Sequence, residues 1–345
     1  METIRQVNIH GPGDVRLDES SMPEPGPGDV LVRVMACGIC GSDLGYVKVG
    51  GLVQPTSQPM PIGHEFSGVV EFVGRDVSGI ENGQRVVVNP LGAGNQIGNG
   101  GSEGAFTPHL LVRNVANAEE GRNGPCIIPI PDSLSFELAA LTEPLGVGMQ
   151  SINRANVTQD DRVVVFGAGP IGLTAIATMK YRGIEDVIAI DLSDTRLALA
   201  KSMGARHTLN PDRDSIWQEI RKLHGTSDVF GAEMAGTDVY IEATGSSPII
   251  GEILRSAKRE ARLSIVGLHR AEVPVSFMLV MMKQLTIVGS LAQPDDWNDM
   301  IELLVDSDIS EMITHRFSLD RFPEALTTAQ DPSAGGKVMI DLSES

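Results

Sequence analysis

The segment RVVVFGAGPIGLTAIATMKYRG, starting at Arg162, constrains the fold more than any other part of this chain. An apolar stretch of strand type runs straight into Gly167, Gly169 and Gly172, spaced G-x-G-x-x-G, and then into an apolar helical pattern containing Pro170 and Ile171 near its first turn. Proline is tolerated there because the first N–H groups of a helix have no partner to lose. Glycine serves three purposes in such a stretch: the tight turn, close approach of backbone to a pyrophosphate, and helix-on-strand packing. The helix N-terminus then offers free N–H groups and a positive dipole end to phosphates. A second apolar strand, DVIAID, ends at Asp191, 19 residues after Gly172. A carboxylate placed there can accept from both ribose hydroxyls of NAD and repel a 2′-phosphate. Arg196, a turn into the following helix, is the one nearby cation able to soften that repulsion. Further strands, DVYIEAT, LSIVGL and LTIVGS, alternate with helical segments, as in a parallel, doubly wound sheet. Val266 and Leu268, at the end of LSIVGL, are counted with the cofactor-binding residues.

The chain before this region reads differently. Up to about residue 110, DVLVRVMA, FSGVVEFVG and GQRVVVNP are short strands broken by Gly and Pro, which suggests an antiparallel, barrel-like β domain. With 345 residues the chain is too long for one ordinary core. The boundaries read as 1–147, 148–290 and 291–345, the last segment holding a helix in PDDWNDMIELLVDSD and a polar tail that ends in KVMIDL. A net charge of −18 with no basic stripe argues against nucleic acid as a partner. No apolar run is long enough to span a bilayer, the N-terminus lacks a signal-peptide core, and three cysteines make no disulfide framework. A cytoplasmic protein with no membrane association and a small-molecule substrate is the expectation.

Two of the three cysteines, Cys37 and Cys40, lie in CGICGSDLGY. Their C-x-x-C spacing alone fits a redox pair, but not half of a four-cysteine zinc site, because no second such pair exists. Downstream, MPIGHEFSG carries His64 and Glu65, and LTEPLGVG carries Glu143. One thiolate, one imidazole and one or two carboxylates suffice for a catalytic zinc that keeps an open position.

GICGSD, GHEFSGVV, V-x-G-I-x-N-G-Q-R-V-V-V, EPLGVG and GAGPIG occur in this order along most of the chain. Together they resemble the zinc-dependent medium-chain dehydrogenase/reductase superfamily, and EPLGVG resembles its polyol (sorbitol), threonine and 2,3-butanediol dehydrogenase branch. The resemblance implies an α/β protein: a GroES-like β-barrel catalytic domain, a Rossmann domain with a doubly wound parallel sheet, and a C-terminal return to the first domain, with the active site in the cleft between domains. It implies that Cys40, directly before G-S-D, is the zinc ligand and Cys37 a bystander. It places His64 and Glu65 in the zinc shell, makes Glu143 a ligand or the partner of a zinc-bound water, gives Asp43 the task of holding the His64 ring, and gives Ser42 the substrate's hydroxyl proton. It implies one catalytic zinc per chain, NAD as cofactor, hydride transfer from a secondary alcohol or polyol, and a homodimer or homotetramer paired through LTIVGS. A zinc-free NADPH-dependent enone or quinone reductase of the same fold, and a non-enzymatic dinucleotide-binding protein, are the competing readings.

Two departures stand out. The family often has a histidine five residues past the zinc cysteine, where this chain has Gly45, so the proton route must use a ribose hydroxyl and water or Tyr46. The stretch LGAGNQIGNGGSEGAF, which in many members holds four cysteines around a structural zinc, has none here. Its glycine content predicts a mobile loop. Cys126 is expected to be structural, and Pro90 and Leu268 to help wall the substrate pocket.

Overall fold

The computed structural model describes residues 3–117 and 124–344. Two compact units divide the chain: Met1–Glu143 with Pro294–Ser345, and Pro144–Gln293.

The first unit opens with an antiparallel hairpin, β1 (Thr3–Gly11) and β2 (Asp14–Ser21). β3 (Val30–Gly38) leads into helix α1 (Gly41–Val49), and a two-residue β4 (Met60–Pro61) precedes β5 (Glu65–Val73). β6 (Arg85–Val88), β7 (His109–Val112), β8 (Ile127–Pro129) and α2 (Phe136–Ala140) follow, and α3 (Thr142–Arg154) carries the chain across into the second unit. β3 is the hub, pairing antiparallel with β5 and β7. Val30, Val32 and Val34 are fully enclosed, and burial of such a side chain stabilises by about 1.5–3 kcal/mol. β5 runs opposite β3 with Glu65 facing Gly38, so the start of one strand meets the end of the other.

The glycine-rich stretch between β6 and β7 is a packed coil rather than the loose loop its composition predicts. Asn95 Nδ2 donates to Gly92 O at 2.8 Å and Arg113 O at 3.0 Å, and its Oδ1 accepts from Arg113 N at 2.8 Å. Backbone bonds join Ile97 N to Pro90 O and Ala105 N to Gly63 O, and Ile97 and Phe106 are wholly buried. Side-chain amides and two apolar plugs hold this stretch together.

In the second unit, β9 (Val163–Phe166), α4 (Pro170–Tyr181), β10 (Val187–Ile190), α5 (Asp194–Met203) and β11 (His207–Leu209) form the first half of a parallel sheet. α6 (Ile216–His224) and a hairpin, β12 (Thr226–Val229) with β13 (Ala232–Ala235), lead to the second half. That half comprises β14 (Val239–Glu242), α7 (Ser247–Ser256), β15 (Arg262–Ile265), α8 (Phe277–Lys283) and β16 (Thr286–Gly289). The order is β11-β10-β9-β14-β15-β16, every pairing parallel. Strands such as VVVF are buried at each residue because helices cover both faces. The strand order reverses between β9 and β14, so their carboxyl ends mark the crevice where doubly wound sheets bind ligands.

The chain then returns to the first unit through α9 (Asn298–Asp306), β17 (Ile313–Ser318), α10 (Phe322–Gln330) and β18 (Lys337–Asp341). The KVMIDL stretch is no polar tail. β18 inserts between β17 and β3, and Lys337 through Ile340 are buried. Its partner strand lies some three hundred residues earlier, beyond the reach of local pattern. Among the described residues no helix is long and apolar enough to cross a membrane.

Candidate metal centre and dinucleotide cradle

β3 ends at Gly38 and α1 begins at Gly41, which puts Cys40 at the N-cap of that helix in extended conformation. Asp43, in the first turn of α1, accepts the Cys40 N–H at 2.9 Å and so holds the turn. His64 and Glu65 arrive from the other side, at the start of β5, and both are buried. One donor atom each from Cys40, His64 and Glu65 lie within 4.8 Å of one another. Tetrahedral coordination at about 2.0–2.3 Å sets donors roughly 3.5 Å apart, within a small side-chain adjustment of this arrangement.

The chemistry of the donor set fits zinc. It offers a sulfur, a nitrogen and an oxygen, with the ring held from behind: His64 Nδ1 faces Asp43 Oδ1 at 3.5 Å. Burial alone pulls the His64 imidazolium down, yet the anions of Asp43 and Cys40 outweigh it and hold its pKa well above the ordinary histidine value. The pocket is built to receive positive charge. Cys37 is different. It is fully enclosed, burial pushes its thiol well up, and it lies outside the donor group. Of the C-x-x-C pair, one cysteine faces the cluster and the other packs the sheet. All three cysteines are free.

Ser42 Oγ lies 3.4 Å from His64 Nε2, beside the donors. Tyr46, one turn further along α1, donates to Asn99 Oδ1 at 3.0 Å. Glu143 is half-buried in the first turn of α3 and lies outside the three-donor group.

Lys337 is the residue that sequence reasoning missed. Its ammonium is buried and donates to Glu65 Oε1 at 2.7 Å, Glu65 Oε2 at 2.6 Å and Ile39 O at 3.2 Å. Burial opposes the charge, but Glu65, followed by Cys40 and Glu143, raises the lysine above its ordinary value. A lysine in a C-terminal strand gives no local signal of a partner at residue 65; only the strand pairing reveals it. Asn99 was hidden in the same way, inside a stretch read as mere glycine-rich coil.

In the second unit the glycine turn sits between β9 and α4. Gly167 has φ +95°, a conformation suited to glycine, and a Cβ on Gly172 would lie 1.8 Å from Gly167 O. Gly169 is the opposite case: among the described residues a Cβ there would meet the Arg196 guanidinium alone, at 3.9 Å. That opening, beside the N-terminus of α4 with Pro170 and Ile171, has the character of a phosphate cradle. Asp191 Oδ2 accepts from Ala168 N at 2.8 Å and its Oδ1 from Ser193 N at 2.8 Å, which aims the carboxylate along the turn with lone pairs to spare. Val266 and Leu268 follow β15, at the carboxyl end of the sheet, with Val266 N bonded to Glu242 O and Leu268 exposed. The buried Glu242 carboxylate gathers Thr244 N, Gly245 N and His269 Nε2 and fixes that rim.

Comparison with known proteins agrees with both halves. Residues 26–117 match the alcohol dehydrogenase GroES-like domain, and residues 170–306 match the zinc-binding dehydrogenase family. The chain is 33% identical to sorbitol dehydrogenase of Homo sapiens over 343 residues, covering 96% of this chain and 94% of that protein. Among solved structures it is similar to 2R,3R-butanediol dehydrogenase from Bacillus subtilis, with a TM-score of 0.85 at 26% identity over 98% of this chain and 99% of that one. It is also similar to galactitol-1-phosphate dehydrogenase from Escherichia coli, with a TM-score of 0.81 at 27% identity over 98% and 99%. The chain belongs to the zinc-type medium-chain dehydrogenase/reductase family, in its polyol dehydrogenase branch.

Proposed function

We propose that this oxidoreductase interconverts a secondary alcohol or polyol and its ketone, using NAD and one zinc ion held by Cys40, His64 and Glu65. The observation that carries the reading is the convergence of those three donors, with Asp43 behind the imidazole. A zinc-free reductase or a dinucleotide sensor has no use for such a set. Bound zinc supplies a Lewis acid to the substrate oxygen, and bound NAD supplies the hydride acceptor. The chain's own groups handle the proton. Ser42 Oγ, beside His64, accepts it from the substrate hydroxyl while passing its own proton on to a ribose hydroxyl of bound NAD and water. With Gly45 in place of an imidazole, the Tyr46 hydroxyl, anchored on Asn99 Oδ1, is the next polar side chain along α1. Glu143, outside the donor set, is assigned to hold a water at its edge and to add negative potential.

NAD rather than NADP is supported by Asp191. A 2′-phosphate would bring roughly two negative charges against that carboxylate. Pairing of two copies is supported by β16, which among the described residues is an edge strand bonded to β15 alone, and by the exposed Phe277, Met278 and Met281 of α8. An edge strand can pair antiparallel with its own copy about a two-fold axis. Free cysteines and an acidic surface suit a reducing, cytoplasmic setting with small-molecule substrates.

The test is a screen of diols, polyols, 3-hydroxy amino acids and aromatic alcohols with both dinucleotides, joined to elemental analysis and sedimentation. One zinc per chain, NAD-linked turnover that is lost on stripping zinc, and a dimer or tetramer are expected. Two tightly held zincs, zinc-independent turnover or a preference for NADP would overturn the corresponding part.

A further inference from the structure

The Lys337 ammonium has three donors, and all three are spent: two on Glu65 and one on the carbonyl of Ile39, the residue before Cys40. The site is shaped around this clamp. Gly38 stands directly opposite Glu65 in the β3–β5 pairing, and a Cβ there would lie 2.4 Å from Glu65 Oε2 and 3.2 Å from Lys337 Cδ. β18 itself is fastened at the same point, with Ile39 N donating to Val338 O at 2.9 Å. Both charged groups of the pair are about 1% exposed, so neither has water as an alternative partner.

Glu65 is therefore wanted by two cations. As a metal donor it must turn lone-pair density toward zinc; as the partner of Lys337 it is gripped on both oxygens. Charge sharpens the conflict. Lys337 places a positive charge directly on the carboxylate that a divalent ion would draw on. Without Lys337 the Glu65 carboxylate would be buried without its ion-pair partner until a metal arrived. Breaking a buried pair by removing one partner is strongly destabilising for that reason.

We propose that Lys337 is a positioning residue that competes with the metal for Glu65, keeping the metal-free protein folded and setting zinc affinity below what the donor set would otherwise give. This rests on the assignment of Cys40, His64 and Glu65 to zinc and adds to it a role for a residue outside the donor set. A lysine that merely tied β18 to β3 would make no difference to the metal beyond general loosening.

The test is a double-mutant cycle on the full chain, read as zinc affinity by chelator competition and as thermal stability with and without zinc. Wild type and Cys40→Ala are measured first; zinc bound equally by both would sink the metal assignment itself, separately from the clamp. Lys337→Met should lower the stability of the metal-free protein and yet bind zinc more tightly, by tenfold or more, the scale on which groups behind metal ligands act. In the Glu65→Gln background, where no anion awaits a partner, Lys337→Met should leave zinc affinity within about twofold. Lys337→Arg, which keeps the charge, should stay near wild type. Equal or weaker zinc binding by Lys337→Met, the same effect in both backgrounds, or a Lys337→Met protein that fails to fold even with zinc would each overturn the proposal, since the metal should take over the released carboxylate.

Discussion

The two candidate sites are made from different materials. The dinucleotide cradle is built from backbone: a glycine turn, the N-terminus of α4, and a carboxylate fastened by the N–H groups of Ala168 and Ser193. The metal centre is built from side chains brought together from Cys40, His64, Glu65 and Lys337, with burial and charge in close balance. A backbone site is defeated by added volume, whereas a side-chain site is defeated by a changed charge or a lost donor atom.

The largest effect should come from Gly172→Ala, whose Cβ would fall 1.8 Å from Gly167 O, backbone that has no room to give. A loss above about 4 kcal/mol, or no folded protein, is expected in thermal unfolding. Gly169→Ala, three residues earlier, should unfold within a few degrees of wild type while weakening NAD at least several-fold in a fluorescence titration. Equal stability of the two variants would erase the distinction between a turn that needs glycine and a cradle that needs emptiness.

On the metal side, Cys40→Ala should lower zinc affinity by roughly 100-fold or more, with turnover falling in step, since a thiolate donor is lost. Cys37→Ala removes a fully buried sulfur and should cost on the order of 1 kcal/mol of stability with zinc retained. Equal loss of zinc in both would show that the pair, rather than Cys40 alone, holds the ion.

Asp191 belongs to both kinds of site, and its substitution separates two effects. Asp191→Ala leaves the N–H groups of Ala168 and Ser193 without their acceptor, so about 1–3 kcal/mol of stability should be lost. The ratio of catalytic efficiencies with NAD and NADP should narrow from both sides. A ratio that does not move would mean that the carboxylate serves the turn and not the ribose.

One further effect is a control away from both sites. His224 is buried, with Nδ1 at 2.9 Å from Thr237 Oγ1 and Nε2 at 3.8 Å from Asp186. Burial pulls its pKa down to about 4; Asp186 and Asp238 oppose this, and Arg162 and His207 reinforce it. The unfolded chain binds that proton from about pH 6.5 downward while the folded one refuses it until about pH 4. Stability should thus fall as pH drops through that window, by about 1–3 kcal/mol, and His224→Gln should flatten the slope. Urea unfolding at pH 7 and pH 5 reads this directly, and NAD affinity at pH 7 should be unchanged.

The same contrast explains what could be read from residues alone. The Rossmann half was legible because its turn, helix start and acidic residue fall within one short run, and each demand is local. Cys40, His64 and Glu65 could be named because Gly-Ser-Asp and Gly-His-Glu-Phe flank them in a known order. Lys337 could not, because nothing in KVMIDL says that β18 lies against β3, and a lysine opening a strand ordinarily faces water. The Asn95 and Asn99 amides give no local signal for a related reason: glycine content measures freedom in an unfolded chain, whereas order in this stretch comes from side-chain amides, backbone bonds and the buried Ile97 and Phe106.

Those amides also decide how the stretch between β6 and β7 will age. A lobe closed by thiolates and zinc is undone by oxidants and chelators. This one should ignore both and respond instead to heat and alkali, which hydrolyse asparagine. Conversion of Asn95 to aspartate would exchange the N–H₂ group that holds Gly92 O and Arg113 O for an anion facing two carbonyl oxygens. Asn99 is followed by Gly100, the least hindered of neighbours, and carries the oxygen that receives the Tyr46 hydroxyl. Shelf life in warm, mildly basic buffer would then be set by slow amide loss rather than by redox state.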